Sequence, residues 1–407
     1  MKTAIIGGGA SGMMAAFFAT KKEDVTLFEK NEKLGKKLFI TGKGRCNITT
    51  TLEGEEFLNN VVRNKKFLYS AIYSFPPSRT MEFFKSNNLE LKVERGNRVF
   101  PKSDKSSDII KCFEKGLIKS GVDIKLNEEV LSITKNENFI IKTDKGSYTF
   151  DRVIVATGGK SYVATGSTGK GYEIAKAFGH KVVDLKPALV PFILNDEDLK
   201  ECSGLSLKNI DLVVKKKNKV FKKFFGEALI THFGISGPVV LTASCYINRV
   251  PDRDISLYLD LKPNLDFETM DNRFLREFSN APNKNLSNVM ETLLPKNLIQ
   301  PFLTRASIDG TKKPSNITVE ERHRLIKTLK EFPLSFNSIY DLNAAIVTSG
   351  GVSTAEVDPG TMESKIVKGL YFTGEVLDVD ALTGGFNLQI ALSTAYLAGT
   401  MGEYMEI

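Results

Sequence analysis

Apolar positions in the first thirty residues follow the order of a strand, a turn, a helix and a second strand. Thr3 to Ile6 is a short apolar run, and Met13 to Thr20 has the apolarity and length of a buried helix. Val25 to Phe28 is a second apolar run, and it ends at an acidic residue, Glu29. We therefore predict a β-α-β unit that has a carboxylate at the end of its second strand.

Later segments repeat this α/β style at both ends of the chain. Alternation at period two over Phe139 to Thr143 and Ser147 to Phe150 surrounds Asp144-Lys145-Gly146 and predicts a β-hairpin. The wholly apolar run Val153 to Val155 predicts a buried parallel strand. The other predicted elements are helices over 55–88, 108–120, 172–178 and 388–398 and strands over 122–126, 130–133, 345–348 and 369–375.

The middle of the chain changes character twice. Residues 189–261 contain short apolar runs separated by turn residues, which indicates an antiparallel unit. Within it we predict strands over 190–194, 205–207, 210–214, 220–225 and 255–259. Residues 264–332 instead have charged helical patterns with prolines at their ends. The α/β pattern returns from residue 340 onward.

The turn after the first strand carries the most specific chemistry in the sequence. Gly7, Gly9 and Gly12 are spaced as Gly-x-Gly-x-x-Gly at the start of the helix, and Glu29 follows 17 residues after Gly12. This combination is typical of a dinucleotide site, in which helix N–H groups face the pyrophosphate and the acid binds a ribose. A secretory signal and a strand-turn-helix without ligand are the alternatives. The three consecutive glycines argue against the signal.

A basic, glycine-rich segment follows, and its pattern fits neither an ordinary helix nor a strand. Residues 34–47 hold three glycines and four basic residues and end at Asn47. Such a loop suits a phosphate-bearing ligand, and a basic surface loop is the alternative. Farther on, Gly169-Lys170 lacks the spacing and the following Ser or Thr of a P-loop, which argues against an ATPase.

Composition narrows the class of protein further. The chain has 407 residues, 42% of them hydrophobic and 26% charged, as in a globular protein of two or three domains without a membrane span. Its four cysteines are scattered, which favours a reducing compartment, the cytoplasm, and argues against a metal site. The net charge of +8 comes mainly from short lysine runs, for which we favour a solvated face over a nucleic-acid site.

Three long segments resemble one family of flavoproteins. They are GKKLFITGKGRCNIT at 35–49, GEALITHFGISGP at 226–238 and TMESKIVKGLYFTGEVLDVDALTGGFNLQ at 361–389. In this order they resemble the bacterial aminoacetone-oxidase-like flavoproteins, a family that also includes a reductase of bile-acid dehydroxylation. The resemblance implies a Rossmann-like FAD-binding domain over 1–188 and 340–407. It further implies a β-barrel-like insert over 189–262, with about 333–339, and a helical insert over 263–332.

The resemblance also implies which residues bind FAD. The glycine turn would hold the pyrophosphate, Glu29 the ribose, and the helix start after Gly384 the flavin edge, where N–H groups stabilise reduced flavin. A helix start without a ligand is the alternative there. The cofactor-binding residues so implied are Gly7, Gly9, Ala10, Ser11, Gly12, Glu29, Lys30, Lys36, Lys37, Thr41, Gly42, Arg45, Cys46, Asn47, Val130, Ala156, Thr157, Gly158, Gly374, Glu375, Gly385, Phe386, Asn387 and Leu388.

The chain departs from the family pattern at Val163, Lys170 and Phe386, where we expect Pro, Asp and Tyr. No second Gly-x-Gly-x-x-Gly is present, so hydride would come from the substrate or from NAD(P)H that docks transiently. His232 and Arg45 are candidate acid-base residues, and packing roles are the alternatives for both. The catalytic residue and the oligomeric state stay open.

Three functions follow as hypotheses. The first is an FAD-dependent oxidoreductase acting on a small amine or on an enone such as a steroid. The second is an RNA-associated flavoprotein whose lysine-rich inserts hold the RNA. The third is a flavin-binding protein without turnover. Substrate and electron acceptor are not determined by these patterns.

Overall fold

The computed structural model describes residues 1–407 and divides the chain into two compact units. The first unit comprises Met1–Ala188 with Leu342–Ile407, and the second comprises Leu189–Asp341. Each unit has its own hydrophobic core. No helix in either unit combines the length and apolarity that crossing a bilayer requires.

A five-stranded parallel sheet forms the centre of the first unit. Its order is Leu370–Phe372, Arg152–Val155, Lys2–Ile6, Asp24–Glu29 and Asp123–Leu126, and all neighbours run parallel. The apolar run Val153 to Val155 suits a place inside this sheet, because both faces of a parallel sheet are buried. The Rossmann-type α/β fold expected from the sequence is thereby confirmed.

Two helices of the first unit pack tightly and run parallel to each other. They are Ala10–Ala19 and Phe386–Thr400. A side-chain carbon at Gly399 would lie 2.8 Å from the Ala15 carbonyl oxygen, so glycine is what lets the backbones approach. Gly374 lies against both Ser11 and Ala391, near the beginnings of the two helices. Both N-termini therefore point toward the same end of the first unit.

Smaller elements complete the first unit. Its other helices are Lys36–Ile40, Gly54–Leu58, Tyr69–Ser74, Pro77–Ser86, Ser106–Lys119 and Lys170–Ala177, with 3₁₀ turns at Thr41–Gly44, Lys65–Leu68, Val163–Thr165, Leu342–Ala344, Thr354–Glu356 and Gly374–Val376. Antiparallel groups of strands are Val130–Lys135 with Phe139–Thr143 and Ser147–Phe150, Val182–Ala188 with Val347–Val352, Val61–Arg63 with Asp380–Ala381, and Thr49–Thr50 with Arg98–Pro101 and Leu91–Glu94.

The second unit is built on a seven-stranded antiparallel sheet. Its order is Phe332–Leu334, Ile255–Asp260, Ser206–Lys216, Lys219–Thr231, Gly234–Ser236, Phe192–Leu194 and Phe336–Ile339. Only Ser335 separates the two edge strands in sequence, so the sheet curves until its edges meet. Helices Glu197–Lys200, Pro238–Ile247, Phe267–Asn280, Leu286–Met290, Lys296–Ala306 and Val319–Lys330 share the core of this sheet, and 3₁₀ turns lie at Asp252–Asp254 and Pro314–Asn316.

Several segments differ from the sequence-based prediction. The helix expected over 55–88 is divided into Gly54–Leu58, Tyr69–Ser74 and Pro77–Ser86. The strands expected over 190–194, 345–348 and 369–375 are shorter or shifted, as Phe192–Leu194, Val347–Val352 and Leu370–Phe372.

Three further differences change the type or number of elements. Val61–Arg63 lies inside the region with a helical pattern but is a strand, because it pairs with Asp380–Ala381 more than 300 positions away. Lys36–Ile40 is a short helix inside the segment for which we expected a loop. The predicted strands over 205–207 and 210–214 are one strand, Ser206–Lys216, with a bulge between its halves.

Candidate functional site

The three glycines of the first turn differ in what they contact. A side-chain carbon at Gly7, where φ is +106°, would lie 2.7 Å from the Ala156 carbonyl oxygen, and one at Gly12 would lie 1.8 Å from the Gly7 carbonyl oxygen. At Gly9, φ is −77° and no atom of the protein lies within 4 Å of that position. Packing therefore explains Gly7 and Gly12 but leaves Gly9 facing open space.

The helix that begins after Gly9 has no side-chain cap and no acidic residue in its first turn. Its first N–H groups have no partner within the helix, so their partial positive charge faces the space beside Gly9. The chain forms a similar helix start at Gly385, where φ is +94°, and again neither a cap nor an acid is present. The fold thus brings two uncapped helix starts to one end of the first unit.

Glu29 is bound to the glycine turn. Its carboxylate accepts hydrogen bonds from the Gly8 N–H at 2.8 Å and from the Asn31 backbone N–H at 2.8 Å. The Asn31 side-chain amide adds a third at 2.6 Å, and Glu29 is 9% exposed. These bonds hold the carboxylate beside the turn, and its remaining lone pairs can still accept from ligand hydroxyls.

A row of hydroxyls joins the turn to the middle of the second helix. Ser11 Oγ lies 2.9 Å from Thr373 Oγ1, which lies 3.0 Å from Thr394 Oγ1. The Thr394 hydroxyl also accepts from the Gly374 N–H at 3.0 Å. All three hydroxyl residues are buried, so the row fixes Gly374 against both helices.

Three lysines in or near the basic segment form hydrogen bonds in the same region. Lys37 Nζ donates to Glu375 Oε2 at 2.7 Å and to Ser161 Oγ at 2.8 Å. The other oxygen of Glu375 accepts from the Thr348 N–H at 2.9 Å. Lys36 Nζ donates to the Asn31 side chain at 3.3 Å, and Lys30 Nζ to Thr168 Oγ1 at 3.2 Å.

Sequence reasoning missed Asn31, Ser161 and Thr348 as supports of this region. Asn31 follows Glu29 by two positions, a spacing that permits a local carboxylate bond and is visible in sequence. Ser161 and Thr348 approach Glu375 from distant parts of the chain. No local pattern marks either of them.

The end of the basic segment is tied to the neighbouring strand. Arg45 donates to Asp104 at 2.8 Å, pairs with Glu94, and lies 4.3 Å from the Phe100 ring centroid. Asn47 Oδ1 accepts from the Val99 N–H at 3.2 Å. Thr41 Oγ1 donates to the Leu38 carbonyl oxygen at 2.7 Å, and Gly42 has φ of +57°. These contacts shape the loop and occupy the side chains of Arg45 and Asn47.

Cys46 is fully buried beside Arg45, and burial raises the pKa of its thiol to about 12. A hydrogen bond with Thr41 opposes that rise without cancelling it. The thiol is therefore protonated at neutral pH and is a poor nucleophile.

The helix start after Gly384 is equally constrained. A side-chain carbon at Gly385 would lie 2.4 Å from the Thr49 carbonyl oxygen. Phe386 is 5% exposed and its ring centroid is 5.2 Å from that of Phe57. The Asn387 side chain accepts from the Ala381 N–H at 2.9 Å and donates to the Ala381 carbonyl at 2.8 Å. Leu388, half-buried, completes the first turn.

The remaining predicted residues lie in three places. Ala156, Thr157 and Gly158 follow the strand Arg152–Val155, and the Ala156 N–H donates to the Ile6 carbonyl at 2.9 Å. Val130 is buried at the start of Val130–Lys135. His232 belongs to the second unit, where it is exposed beside Phe233. The predicted cofactor-binding residues thus all belong to the first unit and His232 does not.

Fold and sequence together define the class as a Rossmann-type oxidoreductase. The chain belongs to the family described as HI0933-like protein Rossmann domain, whose model matches residues 1–401. The resemblance to the aminoacetone-oxidase-like flavoproteins is confirmed at this level.

Two curated relatives span nearly the whole chain. A 3-dehydro-bile acid delta(4,6)-reductase of Clostridium scindens is 32% identical over 97% of both chains. A ribosomal RNA dihydrouridine synthase of Escherichia coli is 33% identical over 96% of this chain and 95% of that one. Among solved structures, a 3-ketosteroid delta1-dehydrogenase of Sterolibacterium denitrificans is 12% identical with a TM-score of 0.50 and covers 98% of both chains. At that identity it supports the fold alone.

Proposed function

We propose that the protein is an FAD-dependent oxidoreductase that reduces a carbon–carbon double bond conjugated to a carbonyl group. The observation that supports a bound cofactor is the open space at Gly9, because nothing in the protein itself requires glycine there. A pyrophosphate lying against the backbone N–H groups of the uncapped helix start would require it. The residues present thus fit the adenosine and pyrophosphate part of a dinucleotide.

FAD is favoured over NAD by the second helix start. Gly385 begins Phe386–Thr400 without a cap, and this helix runs parallel to Ala10–Ala19. A flavin needs positive partial charge near its pyrimidine edge when it is reduced, and a helix N-terminus supplies it. We assign the binding of FAD to residues 1–188 and 340–407, with Glu29 at the ribose and Lys36, Lys37 and the 41–47 loop lining the cofactor.

The reaction class follows from the relatives. Bound FAD would supply hydride transfer at its N5 atom. The names of both curated relatives denote the addition of hydrogen to ring double bonds, in a 3-oxo steroid acid and in a uracil. Reduction of an enone double bond takes a hydride at the carbon β to the carbonyl and a proton at the α carbon. A donor must supply the hydride, which carries two electrons and one proton, and the second proton comes from water or an acidic side chain. NAD(P)H docking transiently is the proposed donor.

Anaerobic reduction and reoxidation of the purified protein tests this function. After removal of the flavin, added FAD should restore visible absorbance, and NADH or NADPH should bleach it. We expect a 3-oxo-Δ4 steroid to reoxidise the flavin faster than air does. Failure to regain absorbance would contradict FAD binding. Bleaching by a small amine with fast reoxidation in air would make the protein an oxidase, and bleaching with no acceptor would leave a flavin binder without turnover.

A second candidate is the same reduction on a uracil base within RNA. The observation that favours it is the hairpin of Ser206–Lys216 and Lys219–Thr231, which carries seven lysines and two acidic residues. A small steroid acid does not need such a surface. RNA containing uridine replaces the steroid as acceptor in the same reoxidation experiment, and formation of dihydrouridine is the readout.

A further inference from the structure

The longest hairpin of the second unit carries a concentrated positive charge. Its seven lysines face only two acids in the same strands, Asp211 and Glu227. The turn at Lys217 and Asn218 has φ of +49° and +65°, so the strands close tightly. Lys217 N donates to the Asp254 carbonyl, which fastens the tip of the hairpin to the rest of the unit.

Most of these lysines have no ion pair. Lys215 pairs with Glu331 at 3.0 Å, and Lys222 lies 3.4 Å from the Tyr246 ring centroid. Lys216, Lys219 and Lys223 are exposed, and none has a carboxylate within 4.0 Å. Unpaired ammonium groups so close together repel one another, and a polyanion would relieve that repulsion.

Exposed aromatic rings lie among the lysines on the outer face. Lys223 and Phe225 alternate along Lys219–Thr231, so their side chains project from the same side of the sheet, and Phe221 lies at a bulge two residues before Lys223. Phe221 is 46% exposed and Phe225 is 60% exposed. The alternate positions, Phe224 and Ala228, are buried in the core, which holds this face outward. Sequence reasoning discounted nucleic acid because it overlooked these phenylalanines between the lysine pairs.

Tyr258 belongs to the same face on the next strand but one. Val213 is paired with Lys223 on one side and with Tyr258 on the other, and directly opposed residues project to the same side. Lys215 Nζ lies 4.1 Å from the Tyr258 ring centroid. Phe225 and Tyr258 therefore share this face with Lys215 and Lys223, and Phe221 is exposed at its bulge; aromatic rings among lysines are the combination by which sheets bind unpaired nucleotides.

We propose that this outer face and the adjoining tip of the hairpin bind single-stranded RNA, with the bases stacked on Phe221 and Phe225. The phosphates are held by Lys223 and, at the tip, by Lys216 and Lys219, which are opposed to each other there and project from the other side of the strands. Stacking requires splayed bases, so a duplex of the same sequence should bind less tightly. The proposal rests on the second candidate function, in which RNA carries the reducible base. Its observations, however, concern the hairpin alone.

Binding of a fluorescent oligouridylate to the full-length holoprotein, followed by anisotropy over a range of salt concentrations, tests the lysines. The variant K216Q/K219Q/K223Q should lower the salt slope by about 2 and weaken binding on the order of tenfold at low salt. The matched control K284Q/K296Q/K327Q removes three exposed lysines of the same unit outside the hairpin and should bind as the parent does. Equal losses in both variants would overturn the proposal.

A second comparison tests the rings and does not depend on charge. F225S should weaken binding by about tenfold, as the loss of one stacked base does. F267S removes another exposed phenylalanine of the same unit and should leave binding unchanged.

Retention of anionic lipid vesicles with no retention of oligouridylate would assign the face to a membrane and overturn the proposal. If RNA binding fails while added FAD restores absorbance, only the proposed RNA surface is contradicted. If RNA binding and FAD absorbance both fail, the proposed FAD-dependent function is contradicted as well.

Discussion

Ser11 Oγ and Thr373 Oγ1 lie 2.9 Å apart although 362 positions separate them in sequence. This contact connects the first turn of one uncapped helix with the residue that precedes Gly374, and Thr394 continues it to the second helix. The hydrogen bonds are buried, so they hold together two helices that lie at opposite ends of the sequence.

Breaking this row should be mildly destabilising and non-additive. Ser11→Ala and Thr373→Val should each lower the free energy of unfolding by about 1 kcal/mol, as the loss of a buried hydrogen bond does. Because both substitutions remove the same contact, the double variant should cost less than their sum. Denaturant unfolding of the four proteins measures the coupling.

Thr400→Val provides the comparison for this cycle. Its hydroxyl bonds within the helix to the Tyr396 carbonyl at 2.9 Å, outside the row. Combined with Ser11→Ala, it should be additive within about 0.5 kcal/mol. Additivity of Ser11→Ala with Thr373→Val as well would contradict a shared contact.

Gly9→Ala should separate cofactor binding from folding. The new methyl group meets no protein atom within 4 Å, so the free energy of unfolding should change by no more than about 1 kcal/mol. FAD affinity should fall at least tenfold, about 1.4 kcal/mol, because the methyl group would occupy the space proposed for the pyrophosphate. Flavin titration of the apoprotein measures the second effect.

Two other glycines serve as comparisons for Gly9→Ala. Gly12→Ala places a carbon 1.8 Å from the Gly7 carbonyl oxygen and should destabilise the fold itself by about 1–3 kcal/mol. Gly146→Ala, whose nearest atom is the Tyr148 hydroxyl at 3.8 Å, should change neither stability nor affinity appreciably. Unchanged FAD affinity in Gly9→Ala would argue against a ligand at that turn.

Thiol titration should find no reactive cysteine in the folded protein. None of the four cysteines forms a disulfide and all are buried, and burial raises the pKa of Cys46 to about 12 and that of Cys112 to about 11. Ellman's reagent at pH 8 should therefore react with none of them in native buffer and with all four in guanidinium chloride. A fast native reaction that Cys46→Ala abolishes would reveal a thiolate there.

His180 should make stability depend on pH near neutrality. Burial lowers the pKa of His180, and nearby Glu356 opposes that shift without reversing it. The unfolded chain then binds a proton more readily than the folded protein does. The folded protein therefore keeps its full stability above about pH 6.5, the ordinary pKa of histidine, and loses stability as the pH falls below that value. Urea unfolding between pH 7.5 and 5.5 should show this fall.

His180→Gln should flatten that pH dependence, since glutamine can retain the bond to Ser364, which His180 makes at 2.8 Å. His323→Gln removes an exposed imidazole and should leave the slope as it is in the parent. A slope that survives His180→Gln would assign the effect to other groups.

Much of the first unit was predictable from local pattern. The predicted strands over 3–6, 25–28 and 153–155 and the hairpin of Phe139–Thr143 and Ser147–Phe150 are present, with bounds that differ by one residue or none. The helix predicted over 388–398 lies within Phe386–Thr400. These segments succeed because buried strands and helices impose a periodicity on their own residues.

Pairings across the chain were not predictable in this way. Val61–Arg63 has a helical pattern but becomes a strand through its partner Asp380–Ala381, and the roles of Ser161 and Thr348 depend on Glu375. Lys36–Ile40 forms a helix where its glycines and lysines suggested a loop. For the strand Val61–Arg63 and for the bonds to Glu375, contacts between distant residues outweigh local propensity.

The sequence by itself determined the β-α-β unit, the Gly-x-Gly-x-x-Gly turn and the acid that follows it, because glycine spacing and apolar runs act over a few neighbouring residues. Only the tertiary structure decided that Gly9 faces open space while Gly7 and Gly12 are packed, and that Ser11, Thr373 and Thr394 join two helices. These contacts depend on the positions of backbone segments that are hundreds of residues apart. The periodicity of side chains along the sequence does not determine those positions.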